Sequence, residues 1–201
     1  GYVPVLEYVN GKGLYVVVVP PRSCPEVIEI DDEYHKYLII IWDIISSHPK
    51  IKDNPYIMFE LANEPVRIIG DDGNEGGGGD ACFRNLQKYF QKVVDRIRAN
   101  GAGNIIWVPG LNYMSNFDGY ANYPIEGSNI GYAVHLYPGW MGSDGENGDG
   151  GSGSGGYQSF QNGWNRQVGP VAAFAPILIT EMDWAPAKYN ASWGKATTGV
   201  L

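Results

Sequence analysis

The chain has 201 residues and a formal net charge of −8. This acidic balance excludes the basic surface that a nucleic-acid or anionic-membrane partner requires, and no apolar run approaches the roughly 18 residues of a membrane span. Hydrophobic residues make up 44% of the chain and aromatic residues 13%, which excludes a disordered protein and predicts one globular domain over residues 1–201. Two cysteines, Cys24 and Cys82, are too few for a disulfide scaffold, and the sequence leaves open whether they pair.

Short apolar runs alternate with helical patterns along the chain. The strands among them are apolar nearly throughout, which is typical of parallel strands covered on both faces. Alternation of strand and helix predicts a parallel α/β fold with about five units, and both an open doubly wound sheet and part of a (β/α)8 barrel fit that count. The predicted strands are 14–19, 56–61, 104–108, 130–136 and 176–180. The predicted helices are 2–9, 32–47, 83–99 and 160–174.

The helix predicted over 83–99 has the clearest pattern. Asp80 is its predicted N-cap and Gly101 its predicted C-terminal stop. Its apolar residues recur at spacings of three and four and form one stripe: Phe83, Leu86, Phe90, Val93, Val94 and Ile97.

Two glycine-rich acidic loops, 70–80 and 142–156, follow predicted strands. Their side-chain oxygens are of the type that calcium prefers, but neither loop has the spacing of a calcium-binding hand. A solvated loop is therefore the simpler interpretation, with calcium binding as the alternative. The candidate calcium ligands are Asp71, Asp72, Asn74 and Glu75 in the first loop and Asp144, Glu146 and Asp149 in the second.

Polar side chains gather where three predicted strands end. Glu64 follows the strand over 56–61, His135 and Tyr137 lie at the end of the strand over 130–136, and Glu181 follows the strand over 176–180. Because the carboxyl ends of parallel strands meet at one edge, we expect these side chains to lie together. Pro65 favours an extended backbone at Glu64.

Two carboxyl groups are what hydrolysis of a glycosidic bond requires. One protonates the leaving oxygen, and the other attacks the anomeric carbon or activates water. Glu64 and Glu181 supply such a pair, with Asn63, His135 and Tyr137 as hydrogen-bonding neighbours. Each residue alone is more simply interpreted as a helix-end charge, a core histidine or a loop anchor; the three strand ends together favour an enzyme.

Four segments resemble glycoside hydrolase family 5, a family of retaining glycosidases built on (β/α)8 barrels. FELANEP (59–65), NIIWVPGLNY (104–113), VHLYPGW (134–140) and ILITEMDW (177–184) are similar to its fourth, fifth, sixth and seventh strands, in that order.

The resemblance implies a role for each matching residue. Glu64 is then the general acid/base and Glu181 the nucleophile, while Asn63 binds the 2-hydroxyl of the sugar. His135 then lies near the acid/base, and Tyr137 donates a hydrogen bond to the nucleophile. Trp140 and Trp184 are implied as sugar-stacking platforms.

Strands three to seven are the part of the barrel that this resemblance accounts for. The family's first two strands, with an arginine near the second, and its last strand have no counterpart in the sequence. We therefore expect one of three arrangements: another chain completes the barrel, for example in a homo-oligomer, the polypeptide is longer, or the fragment closes differently.

The implied activity is that of an endo-β-1,4-glucanase that acts by double displacement without a cofactor. β-Mannanase and xyloglucanase are alternatives within the family. A truncated barrel that only binds glycan, or that needs assembly for activity, is an alternative of another class. A polysaccharide substrate implies a secreted, extracellular protein.

Overall fold

The computed structural model describes residues 2–137, 140–142 and 156–182. The helices are α1 (Val3–Asn10), α2 (Glu33–Ser47), α3 (Asp80–Ala99), α4 (Gly156–Gln167) and α5 (Gly169–Ala172), with 3-10 turns at Asp118–Ala121 and Trp140–Gly142. The strands are β1 (Val16–Val18), β2 (Val27–Ile28), β3 (Ile57–Glu60), β4 (Arg67–Ile69), β5 (Glu75–Gly76), β6 (Ile106–Pro109), β7 (Ile130–Leu136) and β8 (Ile177–Met182).

The main sheet has five strands in the order β1-β3-β6-β7-β8, and every neighbouring pair is parallel. Each strand therefore lies beside the next main-sheet strand along the chain, and the order never reverses. A doubly wound sheet requires such a reversal, so the described strands are part of a (β/α)8 barrel, as the resemblance implied. All five strands coincide with predicted strands: β7 has the predicted bounds, and the ends of the other four differ by one or two residues.

A second, three-stranded sheet escaped the sequence prediction. Its order is β2-β4-β5, with β2 and β4 parallel and β4 and β5 antiparallel. Strands of two or three residues are too short to show a hydrophobic period. The predicted loop over 70–80 is thus in part a hairpin, which contains β5.

Two predictions about the helices were wrong. Asp80 is the first residue of α3 and not its N-cap; the N-cap is Gly79, which has a φ of 82° and no side chain to bond the helix end. The helix predicted over 160–174 is divided into α4 and α5 at Val168. Gly101, by contrast, has a φ of 74° beyond the C-cap of α3, as a left-handed stop requires.

The core lies between the main sheet and the helices α2 and α3. The predicted stripe of α3 is buried throughout. On α2, the Trp42 ring packs against Phe59 of β3 with ring centroids 5.0 Å apart, and its Nε1 donates a hydrogen bond to the Leu61 carbonyl at 2.9 Å. These contacts fix β3 immediately before the segment that carries Glu64. Among the helices of the described residues, none has both the length and the apolar character that crossing a bilayer would require.

His35 of α2 is fully buried at the contact with α3. Its Nδ1 accepts a hydrogen bond from the Asp31 backbone at 2.9 Å, so Nε2 carries the hydrogen and donates to the Tyr89 carbonyl at 2.9 Å. Burial lowers the pKa of His35 below its ordinary value of 6.5, because the charged ring would lose its hydration. The neutral form of His35 is thus favoured relative to a histidine in water.

We predict that acid removes the stabilising contribution of His35. In the unfolded chain His35 takes up a proton as the pH falls through 6.5, whereas in the folded protein it resists protonation, so the unfolded state is favoured. The stability lost by His35→Gln should therefore be larger at about pH 8 than at about pH 5. Urea unfolding of both proteins at the two pH values tests this; a loss that is larger at the lower pH would contradict it.

Candidate active site

Three functional groups from separate strands meet at the carboxyl end of the sheet. His135 Nδ1 lies 3.0 Å from Glu64 Oε1 and 3.4 Å from Glu181 Oε2. One oxygen of each carboxylate and the ring nitrogen all lie within 4.8 Å of one another. The His135 ring is fully buried, while the Glu64 and Glu181 side chains are 28% and 41% exposed. A ligand can therefore reach both carboxylates from solvent but meets no exposed imidazole.

A β-bulge brings Glu181 opposite His135. Between β7 and β8, Val134 pairs with Ile179, and the next pair is His135 with Glu181, so that Thr180 is skipped. Without the extra residue Thr180 would lie opposite His135. Glu181 was expected after the last strand, but it lies within β8, and the bulge is what aims its side chain into the site.

The backbone of Glu64 is not extended, although Pro65 predicted an extended exit. Its φ is 51°, in the left-handed region, which a residue other than glycine adopts at a cost. The backbone nitrogen of Tyr113 donates a hydrogen bond at 3.1 Å to the Pro65 carbonyl, and that of Asn112 donates at 3.0 Å to the next carbonyl along. These bonds hold the segment and compensate for the unfavourable φ.

A buried glutamate beneath His135 was not among the predicted site residues. Glu60, the last residue of β3, is 4% exposed, and its Oε1 lies 3.3 Å from His135 Nε2. The available signal was the charge itself, since Glu60 interrupts the apolar run over 56–61 and glutamates are rarely buried without a partner.

The position of His135 between carboxylates determines its charge. Burial of the ring by itself lowers the pKa of His135. The hydrogen bonds to Glu60 and Glu64, together with the charge of Glu181, more than offset burial, and the net result is a raised pKa. The imidazolium form is thus favoured relative to a histidine in water.

The other predicted site residues lie around this centre. Tyr137 donates a hydrogen bond from its hydroxyl to Glu181 Oε2 at 2.9 Å, in agreement with the contact that the resemblance implied. The half-buried Trp140 ring lies 5.2 Å from the Tyr137 ring and 6.2 Å from the Tyr113 ring. Asn63 is half-buried beside Glu64. Trp184 lies outside the described residues.

The acidic residues of the first glycine-rich loop have separate partners. Asp71 binds Arg84, Asp72 accepts a hydrogen bond from the Asn74 backbone, and Glu75 lies 3.2 Å from Arg67. Calcium binding there stays a prediction. The second loop, with Asp144, Glu146 and Asp149, lies outside the described residues except at its two ends.

The order, spacing and geometry of these residues agree with a comparison against protein families. The family described as "Cellulase (glycosyl hydrolase family 5)" matches residues 2–193. The chain belongs to glycosyl hydrolase family 5.

Named relatives and solved structures are consistent with this membership. An endoglucanase of Bacillus sp. (strain KSM-635) is 30% identical over 146 residues, which is 59% of this chain and 15% of that protein. Cellulase CelDZ1 of Thermoanaerobacterium sp. is 32% identical over 97 residues, covering 48% and 23%. The β-glucanase SdGluc5_26A of Saccharophagus degradans superposes with a TM-score of 0.71 at 21% identity, covering 98% of this chain and 58% of that chain.

The family 5 chain described here thus spans less than two thirds of each of these proteins. At 21% identity the superposition with SdGluc5_26A shows the fold, and the fold agrees with the sequential parallel sheet. The activity of the whole protein is a separate inference.

We predict that His135 stabilises the protein with a pH dependence opposite to that of His35. Because the pKa of His135 is raised on folding, its contribution is fully present below its unfolded pKa of 6.5 and is lost as the pH rises through the folded value. The stability lost by His135→Gln should therefore be larger at about pH 5.5 than at about pH 8.5. Urea unfolding at the two pH values measures it, and His35→Gln serves as the control with the opposite sign.

Proposed function

We propose that this family 5 chain carries the site of a retaining glycoside hydrolase, most specifically an endo-β-1,4-glucanase. The observation that carries the proposal is the separation of Glu64 and Glu181, whose nearest oxygens lie within 4.8 Å of each other. Retaining glycosidases have carboxyl groups about 5–5.5 Å apart, whereas inverting enzymes need about 6.5–9.5 Å to admit a water. The short separation supports direct attack on the sugar.

In the proposed reaction the two carboxyl groups act in two steps. Glu181 attacks the anomeric carbon and forms a glycosyl ester, while Glu64 gives its proton to the departing oxygen. Glu64 then removes a proton from water, the resulting hydroxide displaces Glu181, and the sugar leaves with its original anomeric configuration. The Tyr137 hydroxyl, bonded to Glu181 Oε2, holds the nucleophile in one orientation. These steps use two carboxyl groups and water, and we propose no cofactor for them.

The names of the relatives support a glucan substrate. Several are endoglucanases, and SdGluc5_26A has been solved in complex with cellotetraose. We therefore place β-1,4-glucan first, with β-mannan and xyloglucan as alternative substrates. A polymer of this kind is met outside the cell, so we also propose that the protein is secreted.

We predict different defects for the two glutamate variants. On carboxymethylcellulose, Glu64→Gln should lower the release of reducing sugar by roughly 10²- to 10⁴-fold, as loss of a general acid does, and Glu181→Gln should abolish it. On 2,4-dinitrophenyl β-cellobioside, whose leaving group needs no proton, Glu64→Gln should give a burst of one dinitrophenolate per protein followed by slow turnover. Glu181→Gln should give no burst.

The matched control is Glu126→Gln, a change of the same chemistry at an exposed position. It should keep the parent rate on both substrates. A burst from Glu181→Gln would contradict the assignment of the nucleophile. Proton NMR of the first product should show the β anomer; the α anomer would contradict retention.

The uncovered edge of the sheet favours a second candidate function. Within the described part of the chain β1 pairs only with β3, and large apolar side chains on α1 and near β1 are exposed, namely Tyr2, Val5, Tyr8, Leu14 and Tyr15. The second candidate is a barrel fragment that binds glycan without cleaving it or becomes active only on assembly. Light scattering beside the activity assay separates the two: an inactive monomer that binds cellotetraose supports the fragment, and an active monomer excludes it.

A further inference from the structure

We propose that Glu60 is a positioning residue: its buried carboxylate accepts the Nε2 hydrogen of His135 and thereby fixes the Nδ1 of that ring against Glu64 and Glu181. The catalytic part of this inference rests on the function proposed above. The contact between Glu60 and His135 can be tested without activity.

The position of Glu60 in β3 explains why its carboxylate is buried and needs a hydrogen-bond donor. Side chains alternate along a strand, and Phe59 packs outwards against Trp42 of α2. Glu60 therefore points to the opposite, inner face, together with Met58, where it is 4% exposed. A carboxylate buried on that face is costly unless a hydrogen-bond donor compensates it. His135 Nε2, at 3.3 Å, is that donor.

The hydrogen-bonding capacity of the groups fixes where the imidazole hydrogen lies. A carboxylate only accepts hydrogen bonds, so the nitrogen that bonds Glu60 has to carry a hydrogen. Nδ1 is then the nitrogen whose protonation state can vary, and this nitrogen lies 3.0 Å from Glu64 Oε1. When Glu64 is protonated it can donate to a neutral Nδ1, and when Glu64 is ionised an imidazolium can donate to it. The catalytic proton is thus shared across one hydrogen bond.

The titratable groups around His135 come from β3 and its exit, from β8 and from the end of β7 itself, while β6, which also pairs with β7, supplies none among its residues Ile106–Pro109. Glu60 and Glu64 lie on β3 and its exit, Glu181 lies on β8, and Tyr137 follows β7 and bonds Glu181. The hydrogen bond to Glu60 is one of the causes that raise the pKa of His135, so removal of the Glu60 carboxylate should lower the affinity of that ring for protons.

The decisive experiment is long-range ¹H–¹⁵N NMR of the histidine ring nitrogens in the parent, Glu60→Gln and Glu60→Met. The chain has three histidines, so each ring can be assigned by substitution. In the parent, neutral His135 should carry its hydrogen on Nε2. Both variants should reduce that preference and make His135 titrate at lower pH, while the buried His35 keeps its tautomer and its lowered pKa and so reports that the fold is intact.

The kinetic measurement separates positioning from a purely structural role. Glu60→Gln should lower kcat on cellotetraose by roughly 10- to 100-fold, the loss seen when the carboxylate behind a metal-bound histidine is removed, and leave KM nearly unchanged. Its pH–rate profile should move to lower pH. Glu126→Gln, the matched exposed control, should change neither.

The outcomes distinguish this inference from the proposed function. If both Glu60 variants leave the His135 tautomer and titration unchanged, the inference is overturned, whatever the activity. A rate loss without movement of the pH profile would show that Glu60 has a purely structural role, and it would also overturn the inference. If the parent cleaves no glucan, the proposed function fails, and NMR still decides whether Glu60 fixes His135.

Discussion

The candidate site depends on one imidazole buried among three carboxylates. His135 has no exposed surface, and each ring nitrogen faces at least one of Glu60, Glu64 and Glu181. Negative charges at such distances repel one another, and a cation between them relieves that repulsion. The raised pKa of His135 is the consequence. The strands β3, β7 and β8 must keep their registers, because a shift of one residue would turn a carboxylate away from the ring.

Irregular backbone at two positions orients the carboxylates Glu181 and Glu64. Thr180 is the extra residue in the bulge that aligns Glu181, and Glu64 has a left-handed φ. Behind Glu64 lies a turn in which Asn112, Tyr113 and Met114 all have φ between 51° and 59°. Conformations of this kind cost of order 1–3 kcal/mol each and persist only where the surroundings determine them. Here the Met114 carbonyl also accepts a hydrogen bond from the His135 backbone, so one strained turn supports two of the site residues.

The sequence predicted what depends on topology and missed what depends on local geometry. Apolar runs predicted the five main strands, and their shared carboxyl edge placed Glu64, His135 and Glu181 at one end of the sheet, because parallel strands end on the same side. The bulge and the φ of Glu64 were not predictable, since a propensity rule such as that for Pro65 yields to tertiary contacts. Glu60 was visible as a charge in an apolar strand, but the side chain that compensates it lies 75 residues away.

Two equally buried histidines have pKa values that are shifted in opposite directions. His35 and His135 are equally inaccessible, yet the pKa of the first is lowered and that of the second is raised. The partners make the difference: His35 bonds neutral backbone groups between two helices, whereas His135 bonds carboxylates at the strand ends. At the opposite end of the sheet the buried Asn104 donates to three backbone carbonyls and carries no charge. In the described residues, polar groups are therefore buried at both ends of the strands, and those at the carboxyl end include His135 and Glu60, which lie against the partly exposed carboxylates Glu64 and Glu181.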